Sequence, residues 1–186
     1  MASLLFAFVA VLVVSTGGRD WLLASRLSQR LGNTTALLVA GVIASGATAA
    51  LMAFAGSLIA ARMPGPAQTM LVAIALVVAA LELCWQVRKA LPEEPTRSFV
   101  PIVIVLAARQ VGDAARFLVF AFAAGGSAVL AGFGGALGGA AALAIAVLSG
   151  REIESAVSLR AIRIALAALL LAVAAWMTLD IRGVIG

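Results

Sequence analysis

Residues 13–23 read VVSTGGRDWLL. An uncharged apolar run from the N-terminus reaches Val14, is broken by two glycines, Arg19 and Asp20, and then resumes. Composition says what kind of chain holds such a break. Of 186 residues, 64% are hydrophobic and 11% charged, whereas an ordinary soluble domain is about 25% charged. So few charges do not cover a water-facing surface, and the chain reads as a membrane protein. The interruption is then the informative part. At hydrocarbon depth a charge is costly unless it is paired or hydrated, and by default it marks a functional site.

Other features narrow the class. The run Met1–Val14 has no basic flank and the apolar pattern continues beyond it, so a membrane span is expected and not a cleaved signal. Cys84 is the single cysteine and there is no histidine, which removes an intrachain disulfide and the commonest metal ligand and proton shuttle. Ion chemistry must use carboxylates, amides, hydroxyls and backbone carbonyls. The net charge of +5 comes from basic residues that flank apolar spans, as orientation signals do, and no nucleic-acid partner is expected. No nucleophile–base set is visible, and no enzymatic activity is expected. No resident cofactor is implied.

A helix needs about 20 apolar residues to cross the hydrocarbon core. Six stretches qualify: 3–30 (interrupted), 34–61, 67–88, 99–124 (interrupted), 127–149 and 159–180. The expected fold is therefore an all-α polytopic membrane protein with six transmembrane helices. A polar linker, LPEEPTRS at 91–98, separates residues 1–90 from 99–186. With six spans, one set of loops carries Arg26, Arg30, Arg88, Lys89, Arg97, Arg151, Arg160 and Arg163, and the other only Arg62 and Arg182. The eight-to-two excess places the 91–98 linker in the cytoplasm and both termini outside a cell (inner) membrane. Trp85 and Trp176 suit an interfacial aromatic belt, whereas Trp21 lies too deep for one. Glu82, near the end of the third stretch, is expected to pair with Arg88 or to be hydrated.

Five charges remain inside the spans: Arg19, Asp20, Arg109, Asp113 and Arg116. They fall in the first and fourth stretches, which suggests two halves of three spans. An offset of 94 pairs Gly18 with Gly112, Gly32 with Gly126 and Gly41 with Gly135. Three spans is an odd number, so the second half is inverted in the membrane. Inverted halves with broken helices are a transporter architecture, with the site where the halves meet. Gly17-Gly18 and Gly112 supply the breaks. The run GFGGALGGAAA at 132–142 lies inside a span with no strand before it. Its small-xxx-small pairs Gly134/Gly138 and Gly135/Gly139 suit close helix packing, not phosphate binding.

These residues resemble the GDT1 family of cation/proton antiporters. That family has two inverted three-span halves, each with a Glu-x-Gly-Asp-Lys/Arg-Thr/Ser motif in its first span and a Gly-rich second span. Here the first half reads TGGRDWLLASRLSQRLGNTTALLVAGV and the second QVGDAARFLVFAFAAGGSAVLAGFGGALGG. The motif is altered. Thr16 and Gln110 stand at the glutamate positions, Gly18 and Gly112 at the glycines, and Arg19 and Asp113 at the aspartates. The resemblance implies exchange of a divalent cation, Mn²⁺ or Ca²⁺, for protons, because clustered carboxylates bind both. It puts the ion pathway at Thr16, Gly18, Arg19, Asp20, Gln110, Gly112, Asp113 and Arg116, with Asp113 and Asp20 as metal ligands. Arg19 is expected opposite Asp113, with its guanidinium in place of the cation, and Asp20 opposite Arg116 or Arg109. The partners implied are the bilayer, the transported ion, and a homodimer or membrane partner through the small-residue faces. A second reading is a non-transporting membrane subunit whose site is locked by ion pairs.

Overall fold

The computed structural model describes residues 2–31, 34–85, 98–149 and 159–183. Among them are α1 (Ala2–Ser15), α2 (Arg19–Leu31), α3 (Thr34–Ala60), α4 (Gly65–Cys84), α5 (Phe99–Val111), α6 (Ala114–Ala124), α7 (Ala128–Ser149) and α8 (Leu159–Ile181). The linker expected at 91–98 falls outside the described residues except for Ser98, as do residues 150–158.

Helix ends follow local chemistry. The α3 run has no proline and stops before Met63-Pro64-Gly65-Pro66. Its last carbonyls have no intrahelical donor. Gln68 supplies one, donating from Nε2 to Ala60 O at 2.9 Å and to Met63 O at 3.0 Å. Pro66 sits in the first turn of α4, where its missing N–H is no loss.

Among the described residues, four helices are long and apolar enough to cross a membrane: α3, α4, α7 and α8. The bent pair α1/α2 makes a fifth if it counts as one span, with a bend of 66°. Helices α5 and α6 have 13 and 11 residues, about 20 and 17 Å at 1.5 Å per residue, each shorter than a hydrocarbon core of about 30 Å. The apolar stretches at 3–30 and 99–124 are thus each two helices, parted at residues 16–18 and 112–113.

Helix α7 lies at the centre, against α1, α2, α3 and α6; α3 also meets α5 and α6, and α4 meets α6 and α8. Glycine governs the α7 contacts. A Cβ at Gly138 would stand 2.5 Å from Phe8 O, and one at Gly134 would collide with Leu4 O, so α1 backbone rides directly on these two residues. The adjacent pair faces the other way: Gly135 meets Val119 of α6, and Gly139 meets Ser45 of α3 and Arg116 of α6. The two small-residue pairs therefore bring three helices onto one.

The outer surface is apolar, with Phe6, Phe54, Leu81, Phe133, Leu148 and Leu169 all well exposed. A water-soluble monomer rarely shows such a surface; a membrane protein presents it to lipid. Trp85 and Trp176 are 71% and 63% exposed, whereas Trp21 is fully buried.

Candidate functional site at two helix breaks

The polar groups missing from the surface are inside. Asp20, Gln110, Asp113 and Arg116 are all buried, and they lie at or beside the two breaks. At the first break Gly17 takes φ 77°, a conformation open to glycine without steric cost. Gly18 N–H then donates to Ser15 O at 3.0 Å, and Gly18 O accepts from Leu22 N–H at 3.1 Å. Asp20 Oδ1 accepts from Trp21 N–H at 2.9 Å. At the second break Asp113 N–H donates to Gln110 O at 3.0 Å, and Asp113 O accepts from Arg116 N–H at 3.0 Å. The chain thus leaves α5 and enters α6 within two residues.

The breaks face each other. A Cβ at Gly18 would lie 3.0 Å from Asp20 Oδ1 and 3.8 Å from Asp113 Oδ1, so the two carboxylates border the same bare backbone. They act on one another electrostatically, and the Arg116 guanidinium acts on both. Arg116 is also held by hydrogen bonds. Its Nε donates to Thr48 Oγ1 at 2.8 Å, and its Nη2 donates to Ser45 Oγ at 3.0 Å and Gln110 Oε1 at 2.8 Å. Ser45 Oγ donates onward to Ala136 O at 3.0 Å, which ties the network to α7. Arg116 Nη1 and Gln110 Nε2 are buried with no hydrogen-bond partner among the described residues.

The expected site residues divide accordingly. Asp20, Gln110, Asp113 and Arg116 come together, with Gly18 beside them. Asp20 faces Arg116 and not Arg109, which is exposed in the last turn of α5. Thr16 is half-buried and turns its hydroxyl back to Leu12 O at 2.9 Å, as a helical threonine does. Gly112 ends α5 but is exposed, and a Cβ there would meet nothing within 4 Å. The Arg19 side chain lies outside the described residues, and with it the expected Arg19–Asp113 pair. Among the described cations, Arg116 and Arg163 act on Asp113 electrostatically.

Two corrections concern groups assigned to the rim. Arg163 is 5% exposed and forms a buried ion pair with Glu82, Nη2 to Oε2 at 3.3 Å. Glu82 therefore has Arg163 as a partner, while Arg88 lies outside the described residues. Removing Arg163 from the loop tally leaves seven basic residues against two, Arg26, Arg30, Arg88, Lys89, Arg97, Arg151 and Arg160 against Arg62 and Arg182.

The acceptors Ser45 and Thr48 are site residues that the sequence reading does not include. Their signal was present: positions three apart share a helix face, and few other hydroxyls occur in the second apolar stretch. Among the described residues, no group of three or more His, Cys, Asp or Glu could hold a metal ion.

Compared with protein-family models, curated proteins and solved structures, the chain has no match.

Proposed function

We propose that the chain is a membrane transporter of the inverted-repeat kind, similar to the GDT1 antiporters, that exchanges a cation for protons at Asp20 and Asp113. The observation that carries this reading is the meeting of two buried carboxylates and one guanidinium at two helix breaks. Irregular backbone at such depth is tolerated only where it is buried in protein or lines a cavity. Ionisable groups there mark ion or proton pathways.

Counting α1/α2 and α5/α6 as one broken span each gives six spans in two halves, 1–90 and 99–186. The packing supports an exchange of halves. Helix α1 on α7 corresponds to α5 on α3, α2 on α7 corresponds to α6 on α3, and α3 with α7 and α4 with α8 are self-corresponding pairs. The seven-to-two basic excess keeps the proposed orientation, with the 91–98 linker cytoplasmic.

Arg116 changes the charge count relative to a bare acidic cage. Among the described side chains at the breaks, two carboxylates and one guanidinium carry a single net negative charge. One proton or one singly charged cation balances it. Mn²⁺ or Ca²⁺ is balanced only when Arg116 gives way, and most nearby neutral oxygens, those of Ser45, Thr48 and Gln110, already serve Arg116. Arg116 is thus a built-in competitor of the transported ion, displaced on loading and returned on release.

The same bonds favour the second reading, a non-transporting membrane subunit whose site Arg116 locks. Purified protein in liposomes with a pH-sensitive dye inside separates the two. Imposed gradients of Mn²⁺, Ca²⁺, Na⁺ or K⁺ are applied in turn. Transport is expected to give proton movement with at least one of them. Absence of movement with every ion would overturn transport and leave the locked subunit.

A further inference from the structure

Among the described residues, buried side-chain atoms without a hydrogen-bond partner include Trp21 Nε1 and Ser25 Oγ as well as Gln110 Nε2 and Arg116 Nη1. Gln110 and Arg116 belong to the site. Trp21 and Ser25 lie just beyond it, in the first two turns of α2. Trp21 follows Asp20 and donates its backbone N–H to that carboxylate, and Ser25 is four positions further on. Positions four apart share a helix face, and both side chains are fully buried.

Helix α2 is covered by α7, α3 and α5. Trp21 belongs there to a cluster with Ala40 and Ala44 of α3, Leu106 of α5, and Ala142 and Ala146 of α7. None of these side chains can accept a hydrogen bond from the indole N–H. A buried polar group without a partner is costly. Bound water is the usual remedy, each buried molecule making about three hydrogen bonds to such groups.

The composition of α2 points the same way. It reads RDWLLASRLSQRL, with a charged or polar residue in every turn. Helix α6, which continues from the other break, reads AARFLVFAFAA and has Arg116 alone. The offset of 94 that pairs Gly18 with Gly112 sets Trp21 and Ser25 against Ala115 and Val119. Those two are also buried, and their side chains offer water nothing to bind. A helix leaving a break therefore does not need polar side chains on its buried face, yet α2 has them. Half-buried Ser28 extends the polar line, its Oγ donating to Ser25 O at 2.8 Å.

We propose that Trp21 Nε1 and Ser25 Oγ hold water in an access route that runs along α2, between Asp20 and the membrane face at which α2 ends. The route rests on the transport reading for its purpose. It is detected as water and not as flux, so its failure and the failure of exchange are separate results.

X-ray pulses convert water to hydroxyl radicals, which oxidise the side chains beside that water, buried ones included. The intact protein in lipid nanodiscs is irradiated, and oxidation of Trp21 is quantified by mass spectrometry against exposed Trp176. Trp21 is expected to be oxidised in spite of its full burial. Mixing with heavy-oxygen water shortly before the pulse is expected to label the Trp21 product without delay relative to Trp176, as a route open to bulk water requires. Ser25→Thr keeps the hydroxyl and is expected to keep Trp21 oxidation. Ser25→Val puts a methyl in its place and is expected to lose it. A natural protein that is not oxidised at Trp21, or is labelled there only after a lag, would overturn the proposal. Trp21 oxidation retained in a folded Ser25→Val variant would overturn it as well.

Discussion

Replacing Arg116 by leucine is expected to cost about 3 kcal/mol or more of stability, since each hydrogen bond from a charged group is worth about 1.5–3 kcal/mol. The loss is large because Arg116 donates to three neutral acceptors and acts electrostatically on two buried carboxylates. Without it, Asp20 and Asp113 border Gly18 with only Arg163, already paired with Glu82, acting on Asp113 among the described cations. Ser45, Thr48 and Gln110 lose their common donor. Arg116→Lys is expected to recover only part of the loss, because an ammonium cannot reproduce the fork of a planar guanidinium. The combination of Arg116→Leu with Asp20→Asn and Asp113→Asn is expected to be more stable than Arg116→Leu alone, since no uncompensated charge remains. Thermal unfolding in detergent reads all three. An Arg116→Leu protein as stable as the natural one would remove Arg116 from the centre of the site.

The second large effect is expected at Gly139. A Cβ there would collide with Ser45 Oγ and stand 2.8 and 3.1 Å from the Arg116 nitrogens Nη2 and Nη1. Gly139→Ala therefore adds overpacking of about 1–3 kcal/mol. It also disturbs hydrogen bonds of a charged group, worth about 1.5–3 kcal/mol each. Ser45→Ala removes the oxygen that the new methyl meets first, and in the Gly139→Ala background it is expected to restore part of the stability. Gly46→Ala is the control: it lies on α3 near Ser45, and a Cβ there meets nothing within 4 Å. Equal melting temperatures for Gly139→Ala and Gly46→Ala would contradict the tight contact between α7 and the guanidinium.

Much of this site was readable from the chain because charges inside apolar runs have few places to go. Asp20, Asp113 and Arg116 stood out by that rule alone, Gln110 only by its place in the motif, and the glycines at 17–18 and 112 marked where the backbone could part. Partner choice was less readable. Motif register pointed to Arg19, whose side chain lies outside the described residues, across from Asp113. It did not single out Arg116, which helix phase brings from the first turn of α6 back over Gln110 and towards α3. Arg109, one residue before Gln110, is rotated about 100° around α5 at 3.6 residues per turn and is exposed. Glu82 and Arg163 were read as rim charges because each lies near the end of an apolar run. Only the packing of α4 against α8 and α6 shows that those ends are covered. The hydroxyls of Ser45 and Thr48 looked like small packing residues until Arg116 supplied the donors they accept from.

The most direct test of the central claim compares the natural protein with the double variant Asp20→Asn, Asp113→Asn in liposomes. Dye-reported proton movement is followed for the ion that supports exchange in the natural protein. Asparagine keeps the shape of each side chain and removes its capacity to carry a proton or balance a cation. The expected result is ion-driven proton movement in the natural protein and none above empty liposomes in the double variant. Equal movement in both would mean that Asp20 and Asp113 do not carry the exchanged ion.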